Sequence, residues 1–352
     1  MKAMYITLAI LAAIALIVFL VLQHPAFGAL PRGERLQRVL HSPNFRDGEF
    51  RNLQTTATIV LHNDNKGNNA EQQTDKPKNI KPTQLIEAVR TDLTLIDRSV
   101  DQVIWFGHSS YLMFVGGKTI LVDPILTTSF PTSLVMRPFR GTAIYSPNDM
   151  PDIDYLVITH DHWDHLDYKT LRQLRTRISH VVCPLGVGAH LERWGFGDRL
   201  IELDWYDDAN CSDIYFTCLP SRHFSGRLLK RNQSLWASFM IQCNDRTIFV
   251  GGDGGYGSHF EDIAHRFPTI DLAMLENGQY NTAWPHIHTL PHQLPLIIHT
   301  LNAHLSVPIH NGKYALARHP WNEPTNLISI AAHTDTTLHI ALPKIGQPIL
   351  LE

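Results

Sequence analysis

Cysteine is scarce in this sequence of 352 residues, which contains four. They are Cys183, Cys211, Cys218 and Cys243, and their spacing does not match that of a cysteine-ligated metal site. Cys211 and Cys218 could pair in an oxidising compartment, but we favour free buried thiols. The cysteines therefore point to no metal site of their own.

A strong net charge is also lacking, because 30 Lys and Arg against 33 Asp and Glu give a formal net charge of −3. Nothing in this balance suggests the basic surface of a nucleic-acid-binding protein, so no nucleic acid partner is expected. The G-x-S-x-G and P-loop patterns are absent as well. Residues 107–111 are not a nucleophile elbow, since no glycine follows Ser109 at the required place.

Histidine, in contrast, is abundant, with 21 residues. The stretch His160-Asp161-His162-Trp163-Asp164-His165 follows Asp154–Thr159, which is typical of a short buried strand. The polar residues therefore lie on a loop where a strand ends. The first two histidines can point the same way and hold one metal, while Asp164 and His165 can hold a second. Imidazole and carboxylate ligands suit zinc, and also manganese or iron.

Three further ligand candidates, His223, Asp253 and His310, each follow an apolar, strand-like run. Two metals need more ligands than one loop can supply, and these three residues would supply the rest. The glycines around Asp253, at 251–255, would let the backbone approach a bound ion. Each residue alone is typical of an ordinary strand end. Together with the H-x-H-x-D-H loop, in this order, they indicate a dinuclear metal site.

Several short stretches resemble the metallo-β-lactamase-fold hydrolases, over a region from about Val103 to the C-terminus. Within that superfamily the chain is similar to the branch of N-acylphosphatidylethanolamine phospholipase D and its bacterial relatives. The H-x-H-x-D-H motif is specific to the superfamily, and H-F-S-G-R and L-G-V-G point to the branch. The matching stretches are 105–110, 121–124, 160–165, 184–188, 222–227, 252–256 and 308–310.

The resemblance implies an α/β sandwich with a four-layered αββα fold and two zinc ions per chain at one edge of the sheets. It assigns a set of three residues to each zinc and one bridging carboxylate. The first zinc would be held by His160, His162 and His223. The second would be held by Asp164, His165 and His310, with Asp253 as the bridge.

The sequence departs from the family pattern in two places. Asn311 follows His310 where relatives often have Trp, and Asn277 and Gln279 stand where relatives are usually more apolar. Both departures bear on the shape of the substrate pocket and leave the metal ligands intact. Trp284, Trp321 and Tyr256 could line an acyl pocket, although a place in the core is favoured for such aromatic residues.

Two divalent cations about 3.5–4 Å apart can share a water and lower its pKa towards neutrality. The resulting metal-bound hydroxide would attack phosphorus or a carbonyl carbon. The sequence thus predicts a metal-dependent hydrolase, and the resemblance implies a phospholipase D-like phosphodiesterase acting on an N-acylphosphatidylethanolamine-like phospholipid. The alternatives are a lactonase or soluble phosphodiesterase of the same fold, and a non-catalytic membrane-anchored scaffold. The complete ligand set argues against the scaffold.

Two residues join Asp164 as candidates for a role in catalysis. Asp123 ends a strand before Pro124 and could accept a hydrogen bond from a ligand histidine, or could simply begin a turn. His288 falls where the branch has a histidine near the metals. It could donate a proton to the leaving oxygen or orient the phosphate, or begin a helix without any role. For His108 a structural role is favoured.

The N-terminal residues 3–22 carry no charge and are nearly all apolar. About 20 such residues span a hydrocarbon core, so residues 1–23 are expected to be a single-pass membrane anchor, with a cleaved signal peptide as the alternative. Lys2 favours the N-terminus inside, whereas Arg32, Arg35 and Arg38 favour the opposite orientation. We place the catalytic domain outside the cytoplasmic membrane.

A connector is expected at residues 24–100, followed by the hydrolase domain at 101–352. The connector contains a polar, low-complexity insert at 62–82 and a helix predicted at Thr83–Ile96. A flexible connector would let the tethered domain search a lipid surface at high effective concentration. The oligomeric state is left open.

Overall fold

The N-terminal part of the chain precedes the two main sheets. The computed structural model describes residues 2–60, 79–127, 130–227 and 230–351. The chain begins with the long helix α1 (Lys2–Leu22), followed by α2 (Gly33–His41) and a small hairpin of β1 (Phe45–Arg46) and β2 (Glu49–Phe50). Most of the polar insert predicted at 62–82 lies outside the described residues.

The first main sheet has seven strands in the order β15-β3-β4-β5-β6-β7-β8. It is antiparallel from β15 to β5 and parallel from β5 to β8. Its strands are β3 (Gln102–Trp105), β4 (Tyr111–Val115), β5 (Lys118–Val122), β6 (Ile153–Val157), β7 (Ile178–Pro184), β8 (Leu200–Leu203) and β15 (Pro348–Leu350).

The second main sheet has six strands in the order β14-β13-β12-β11-β10-β9. It is antiparallel from β9 to β12 and parallel from β12 to β14. Its strands are β9 (Asp208–Asn210), β10 (Ile214–Leu219), β11 (Ser238–Cys243), β12 (Arg246–Val250), β13 (Ile270–Glu276) and β14 (Ala303–Ile309).

The two sheets pack face to face and are covered by helices on their outer faces. A core that includes Met113 and Val157 of the first sheet and Phe239 of the second fills the space between them. The outer helices are α3 (Tyr168–Leu174) and α4 (Gly188–Arg193) on the first sheet, and α5 (His259–Arg266), α6 (Leu294–Leu301) and α7 (Glu323–Thr334) on the second. The strands alternate the faces that they turn to these cores, as the pleat requires. The four-layered αββα fold is confirmed.

Two pairs of adjacent strands, β4 with β5 and β11 with β12, form antiparallel hairpins. All four cysteines are free, and three are buried while Cys211 is half-buried, which confirms free thiols.

The helix predicted at Thr83–Ile96 is wrong. Residues 83–96 are all described, and they run without a helix along the C-terminal part of the chain. The Val89 N–H donates to the Ile345 carbonyl at 2.8 Å, and Ala88 bridges to Ile345 in parallel. Because this pairing satisfies the backbone and buries Ile345 in the central core, tertiary contacts override the local helix propensity.

The connector between α1 and the sheets is not a free tether where the structure describes it. The Phe50 N–H donates to the Asn232 carbonyl at 2.8 Å, and the Asn52 side chain donates to the His223 carbonyl at 2.8 Å. Arg35 of α2 forms an ion pair with the buried Glu202. The expectation of flexibility is therefore wrong for residues 24–60, which pack on the domain formed by the two main sheets.

Candidate metal centre

The predicted ligands converge because the strands before them end at one edge of the sandwich. β6 leads into the H-x-H-x-D-H loop, and β10, β12 and β14 lead into His223, Asp253 and His310. Backbone hydrogen bonds join the two sheets at this edge, where the His310 N–H donates to the His108 carbonyl at 2.9 Å. Strand ends of both sheets thus bring all seven residues into one cluster, in which His162 and Asp164 are half-buried and the other five are buried.

One group within the cluster consists of His160, His162 and His223. The His162 Nδ1 lies 3.0 Å from the His160 Nε2 and 3.1 Å from the His223 Nε2. Burial holds the pKa values of His160 and His223 well below the ordinary value, so both rings are neutral and offer lone pairs. A tetrahedral zinc with Zn–N bonds of ~2.0–2.1 Å would separate its nitrogens by about 3.3 Å. The spacing fits three nitrogens around one ion.

A second group contains Asp164, His165 and His310, together with His108. The His108 Nε2 and the Asp164 Oδ2 are hydrogen-bonded at 2.9 Å, and the Ser109 hydroxyl contacts the His310 Nδ1 at 2.7 Å. The His165 Nε2 lies 3.8 Å from the Asp164 Oδ2. His108 is fully buried, so it supports the Asp164 carboxylate from the protein side.

Asp253 lies between the two groups. Its Oδ2 is 3.2 Å from the His165 Nε2 and 3.8 Å from the His223 Nε2. Its Oδ1 is 3.1 Å from the His310 Nδ1. Although burial opposes ionisation, His165 and His310 hold the pKa of Asp253 well below its usual range. The side chain is therefore a carboxylate that contacts histidines of both groups.

Two buried atoms at the centre of the cluster fit a cation. The His165 Nε2 and the Asp253 Oδ1 have no hydrogen-bond partner in the described part of the chain. Unpaired buried polar atoms cost free energy, and divalent metals bind imidazole nitrogen and carboxylate oxygen together. The donor set thus fits metal ions.

The glycines around Asp253 serve a purpose different from the one that the sequence suggests. A Cβ on Gly255 would lie 2.1 Å from the His286 carbonyl oxygen, and one on Gly251 would lie 2.7 Å from the Met274 carbonyl oxygen. Gly252 has a positive φ of 61°, which favours glycine. These residues let backbone approach backbone, so that β12 can end between β11 and β13 and direct Asp253 into the cluster.

Asp123, predicted to support a ligand, does contact one. The His165 Nδ1 lies 2.7 Å from the Asp123 Oδ2, and Thr159 donates to both carboxylate oxygens, from its N–H at 2.9 Å and its hydroxyl at 2.6 Å. An Nδ1–H that donates to Asp123 leaves the His165 Nε2 free to bind a metal. The contact favours the supporting role over a simple turn.

His288 lies beside the cluster, and the sequence reasoning missed its partner. Glu276, the last residue of β13, accepts a hydrogen bond from the His288 Nδ1, and its other oxygen accepts the Gly254 N–H at 2.8 Å. Burial raises the pKa of Glu276 to about 7, while Glu276 raises the pKa of His288 against the effect of burial. A signal for Glu276 was available in the sequence, because Glu276 ends β13, and β13 ends at this edge as β12 and β14 do.

Asp161, inside the H-x-H-x-D-H motif, was also missed as a contributor. Its Oδ1 accepts the Gly226 N–H at 2.8 Å, and its Oδ2 accepts the Ser234 hydroxyl at 2.8 Å and lies 3.3 Å from the His190 Nε2. Burial opposes ionisation, but the His190 contact holds the pKa of Asp161 well below its usual range. Asp161 turns away from the metal cluster and fastens the loop to the protein.

The same loop is fastened to the segment that follows α1. Arg227, which is buried, donates from Nη1 to the Asp161 carbonyl at 3.0 Å and from Nε to the Ala26 carbonyl at 2.7 Å. Its guanidinium carbon lies 3.9 Å from the centre of the Trp163 ring. The Ala29 N–H donates to the His190 Nδ1 at 3.0 Å. The turn that follows α1 is thus part of the support of the metal loop.

The three amide residues that depart from the family pattern satisfy backbone groups. The Asn311 side chain donates to the carbonyls of Asn277 and Ile309 at 3.1 and 3.0 Å. The Gln279 Oε1 accepts the N–H groups of Leu316 and Ala317, both at 2.9 Å. These contacts fix the loop after His310, so the departures act on loop structure rather than on pocket shape.

A groove of about 370 Å³ opens beside His223 and Phe224. Its opposite wall is formed by connector residues 46–58. Trp284, Trp321 and Tyr256 are half-buried and do not line this groove. The surface nearest His223 is therefore shaped by the connector and not by the aromatic residues considered from the sequence.

A family model described as the β-lactamase superfamily domain matches residues 118–311, which include the ten strands from β5 to β14 and all seven clustered ligand candidates. The chain belongs to this superfamily. It is a metal-dependent hydrolase of the metallo-β-lactamase fold.

Similar proteins extend the match across the superfamily. An uncharacterized protein of Mycobacterium tuberculosis is 36% identical over 323 residues, covering 88% of this chain and 84% of the relative. The N-acyl-phosphatidylethanolamine-hydrolyzing phospholipase D 1 of Caenorhabditis elegans is 29% identical, covering 60% of this chain and 64% of the relative.

A solved structure, the diiron β-hydroxylase CmlA from Streptomyces venezuelae, has a TM-score of 0.56 and 19% identity. The match covers 72% of this chain and 54% of that chain, so the likeness is one of fold. Because the CmlA structure is described as a diiron enzyme, fold membership alone does not decide between zinc and iron.

Exchanging Asp123 for Asn should lower metal affinity or turnover by roughly 10–100-fold while leaving the fold intact. The amide places an N–H₂ group where Thr159 and His165 both need an acceptor. Chelator competition and circular dichroism test this. Asp154→Asn is the control, because Asp154 accepts the Thr119 N–H away from the cluster; equal metal affinities in the two variants would contradict the supporting role.

Exchanging Arg227 for Met should lower the free energy of unfolding by roughly 2–4 kcal/mol, because the carbonyls of Asp161 and Ala26 lose a buried charged donor. Thermal unfolding in detergent provides the measurement. The matched control is Arg231→Met at an exposed position, which should shift the midpoint little. A midpoint for Arg227→Met equal to that of the control would show that the support is unimportant.

Proposed function

We propose that this chain is a dinuclear zinc phosphodiesterase that hydrolyses an N-acylphosphatidylethanolamine-like phospholipid at a membrane surface. The position of Asp253 carries the dinuclear part of the proposal, because one carboxylate lies 3.1–3.9 Å from four histidine rings of two ligand groups. A carboxylate in that position suits a bridge between two ions.

The ligand assignment follows the two groups. In it the first zinc binds His160, His162 and His223, the second binds Asp164, His165 and His310, and Asp253 is shared. Support comes from the lone pairs of the first group, which point towards one another, and from the unpaired His165 Nε2 and Asp253 Oδ1.

When bound, two divalent metals lower the pKa of a water molecule and stabilise negative charge on the ester under attack. The protein groups hold the ligands in place. Asp123 keeps the His165 proton on Nδ1, and His108 restrains Asp164. No serine or cysteine nucleophile is needed.

His288 is proposed to act on the leaving group. Its Nδ1 contacts Glu276, and its ring centre lies 5.1 Å from that of His223 and 5.6 Å from that of His310. Glu276 accepts from Nδ1 and so directs the Nε2 away from itself. A protonated His288 could then hold a phosphate oxygen or give its proton to the departing alkoxide.

The lipid part of the proposal is supported by two observations. One relative bears the name of an N-acyl-phosphatidylethanolamine-hydrolyzing phospholipase D. In addition, Met4–Leu22 has a mean hydropathy of 3.0, none of that window is buried, and it is the one helix among the described residues long and apolar enough to cross a membrane. We propose that this helix stays attached as a single-pass anchor, with the hydrolase domain on the extracytoplasmic side.

Exchanging Asp253 for Ala should abolish activity and loosen both metal ions, because one carboxylate serves both groups. Elemental analysis of the purified chain should give about two zinc ions per wild-type chain and far less for the variant. Asp271→Ala is the control, since Asp271 accepts the Thr247 N–H away from the cluster. Full metal content with normal turnover in Asp253→Ala would refute the bridge, and iron in place of zinc would correct the metal.

Deleting residues 1–22 should slow hydrolysis of phospholipid in vesicles but spare a small soluble phosphodiester, because the anchor raises the local concentration of lipid. This deletion keeps Gln23 and Pro25, whose carbonyls accept hydrogen bonds from the domain. Rates are compared at equal metal content, with a lactone included in the substrate panel. If the lactone is opened while no form cleaves phospholipid, the lactonase alternative replaces this proposal.

A further inference from the structure

We infer that the loop at residues 130–135 is a second membrane contact, which enters the same bilayer surface that α1 crosses. This inference rests on the membrane anchoring in the proposed function. It adds a surface outside the metal centre and a partner of defined chemistry, the interfacial region of a phospholipid bilayer.

The C-terminal end of α1 is held at one place on the hydrolase domain. The Arg193 guanidinium donates to the carbonyls of Gln23 and Gly28 at 2.7 and 2.6 Å, and the Trp194 Nε1–H donates to the Pro25 carbonyl at 2.8 Å. Both donors belong to the end of α4. Because these bonds begin one residue after the helix, the membrane surface that α1 leaves lies against this part of the domain.

The loop at 130–135 lies beside that point. The Phe130 ring is 5.6 Å from the His24 ring and 6.5 Å from the Phe27 ring, in edge contact with both. Beyond Phe130 the loop exposes two large aliphatic side chains, Leu134 at 70% and Val135 at 78%. Exposing these apolar side chains to water would cost free energy. The apolar surface that they form is continuous with the end of α1, which is itself apolar.

The charges near this loop suit a lipid headgroup region. Residues 124–148 contain Arg137 and Arg140 but no acidic residue, and both arginines are exposed. Apolar side chains flanked by cations are the pattern of interfacial anchors, which place the apolar part below the headgroups and the cations among the phosphates. If the loop contacted a second copy of the chain instead of a bilayer, that contact would not require an excess of positive charge around the loop.

The inner side of the same loop faces the metal centre. Met136 is buried in a small cluster with Ile125 and Tyr314, on which Trp163 packs. Trp163 lies inside the H-x-H-x-D-H motif, and the Tyr314 ring is 5.3 Å from the His108 ring. A loop that rests on the bilayer with its tip therefore brings the metal centre close to the headgroups.

The position of the loop can be measured without any reference to catalysis. The full chain carrying Leu134→Cys is labelled with a polarity-sensitive fluorescent thiol reagent and reconstituted in vesicles that contain phosphatidylglycerol. The control is Ile330→Cys on α7, which is exposed to a similar degree at 64% but covers the other sheet. Cys211 is replaced by Ser in both chains, because it is the native cysteine that is not buried.

We expect the label at 134, and not the label at 330, to lose emission when the lipids carry bromine in the upper acyl chain. Equal emission at 134 in brominated and plain vesicles would overturn the inference. So would a label at 134 that is shielded only by a second copy of the chain, as seen in detergent without vesicles.

The double exchange Leu134→Asp and Val135→Asp gives the functional consequence. It should lower the rate on vesicle phospholipid by about tenfold, which corresponds to losing the burial of roughly one aliphatic side chain, and leave the rate on a soluble phosphodiester unchanged. If the label at 134 is quenched but no form cleaves phospholipid, the membrane contact stands and the proposed function fails. If phospholipid is cleaved but the label at 134 is not quenched, the proposed function stands and the membrane contact fails.

Discussion

The burial of carboxylates among histidines is the constraint on which this structure depends. The side chains of Asp123 and Asp253 are buried, and that of Asp164 lines the cluster. Each of the three carboxylates contacts at least one histidine. Removing a charge from water costs several kcal/mol unless it is paired or binds a metal. This desolvation cost is offset because strands of both sheets end at one edge of the sandwich, where each carboxylate contacts a histidine.

The backbone at this edge is held in conformations that L residues rarely adopt. Asp123, His108 and His310 all have positive φ, at 40°, 55° and 65°, and such positions cost of order 1–3 kcal/mol each. They persist because the strand ends hold one another, with His108 bonded to both Asn311 and His310 through its backbone. A chain that kept these residues without the two packed sheets could not hold the side chains in place.

The metal cluster could be predicted from the sequence because its ligands have two readable features. Four of them lie within the six residues of the H-x-H-x-D-H motif, and each of the others follows an apolar run that does form a strand, as Asp253 follows β12. Glu276 and Asp161 could not be assigned in the same way. Their partners, His288 and His190, lie 12 and 29 residues away and are brought near only by the fold. The helix prediction at residues 83–96 was wrong for a related reason, since Ala88 and Val89 pair with Ile345, which is far away in the sequence.

The connector was the least predictable part, and in the proposed function it changes how a membrane anchor would act. A flexible tether raises the local concentration of substrate but leaves the orientation of the domain free. Here Arg227 joins the Ala26 carbonyl to the Asp161 carbonyl, so one side chain links the segment that follows α1 to the metal loop. That segment and the metal centre are therefore parts of one packed unit. A substrate whose phosphate lies at a fixed depth below the bilayer surface benefits from a catalytic site whose height and tilt are fixed in the same way, whereas a soluble substrate gains nothing from that orientation.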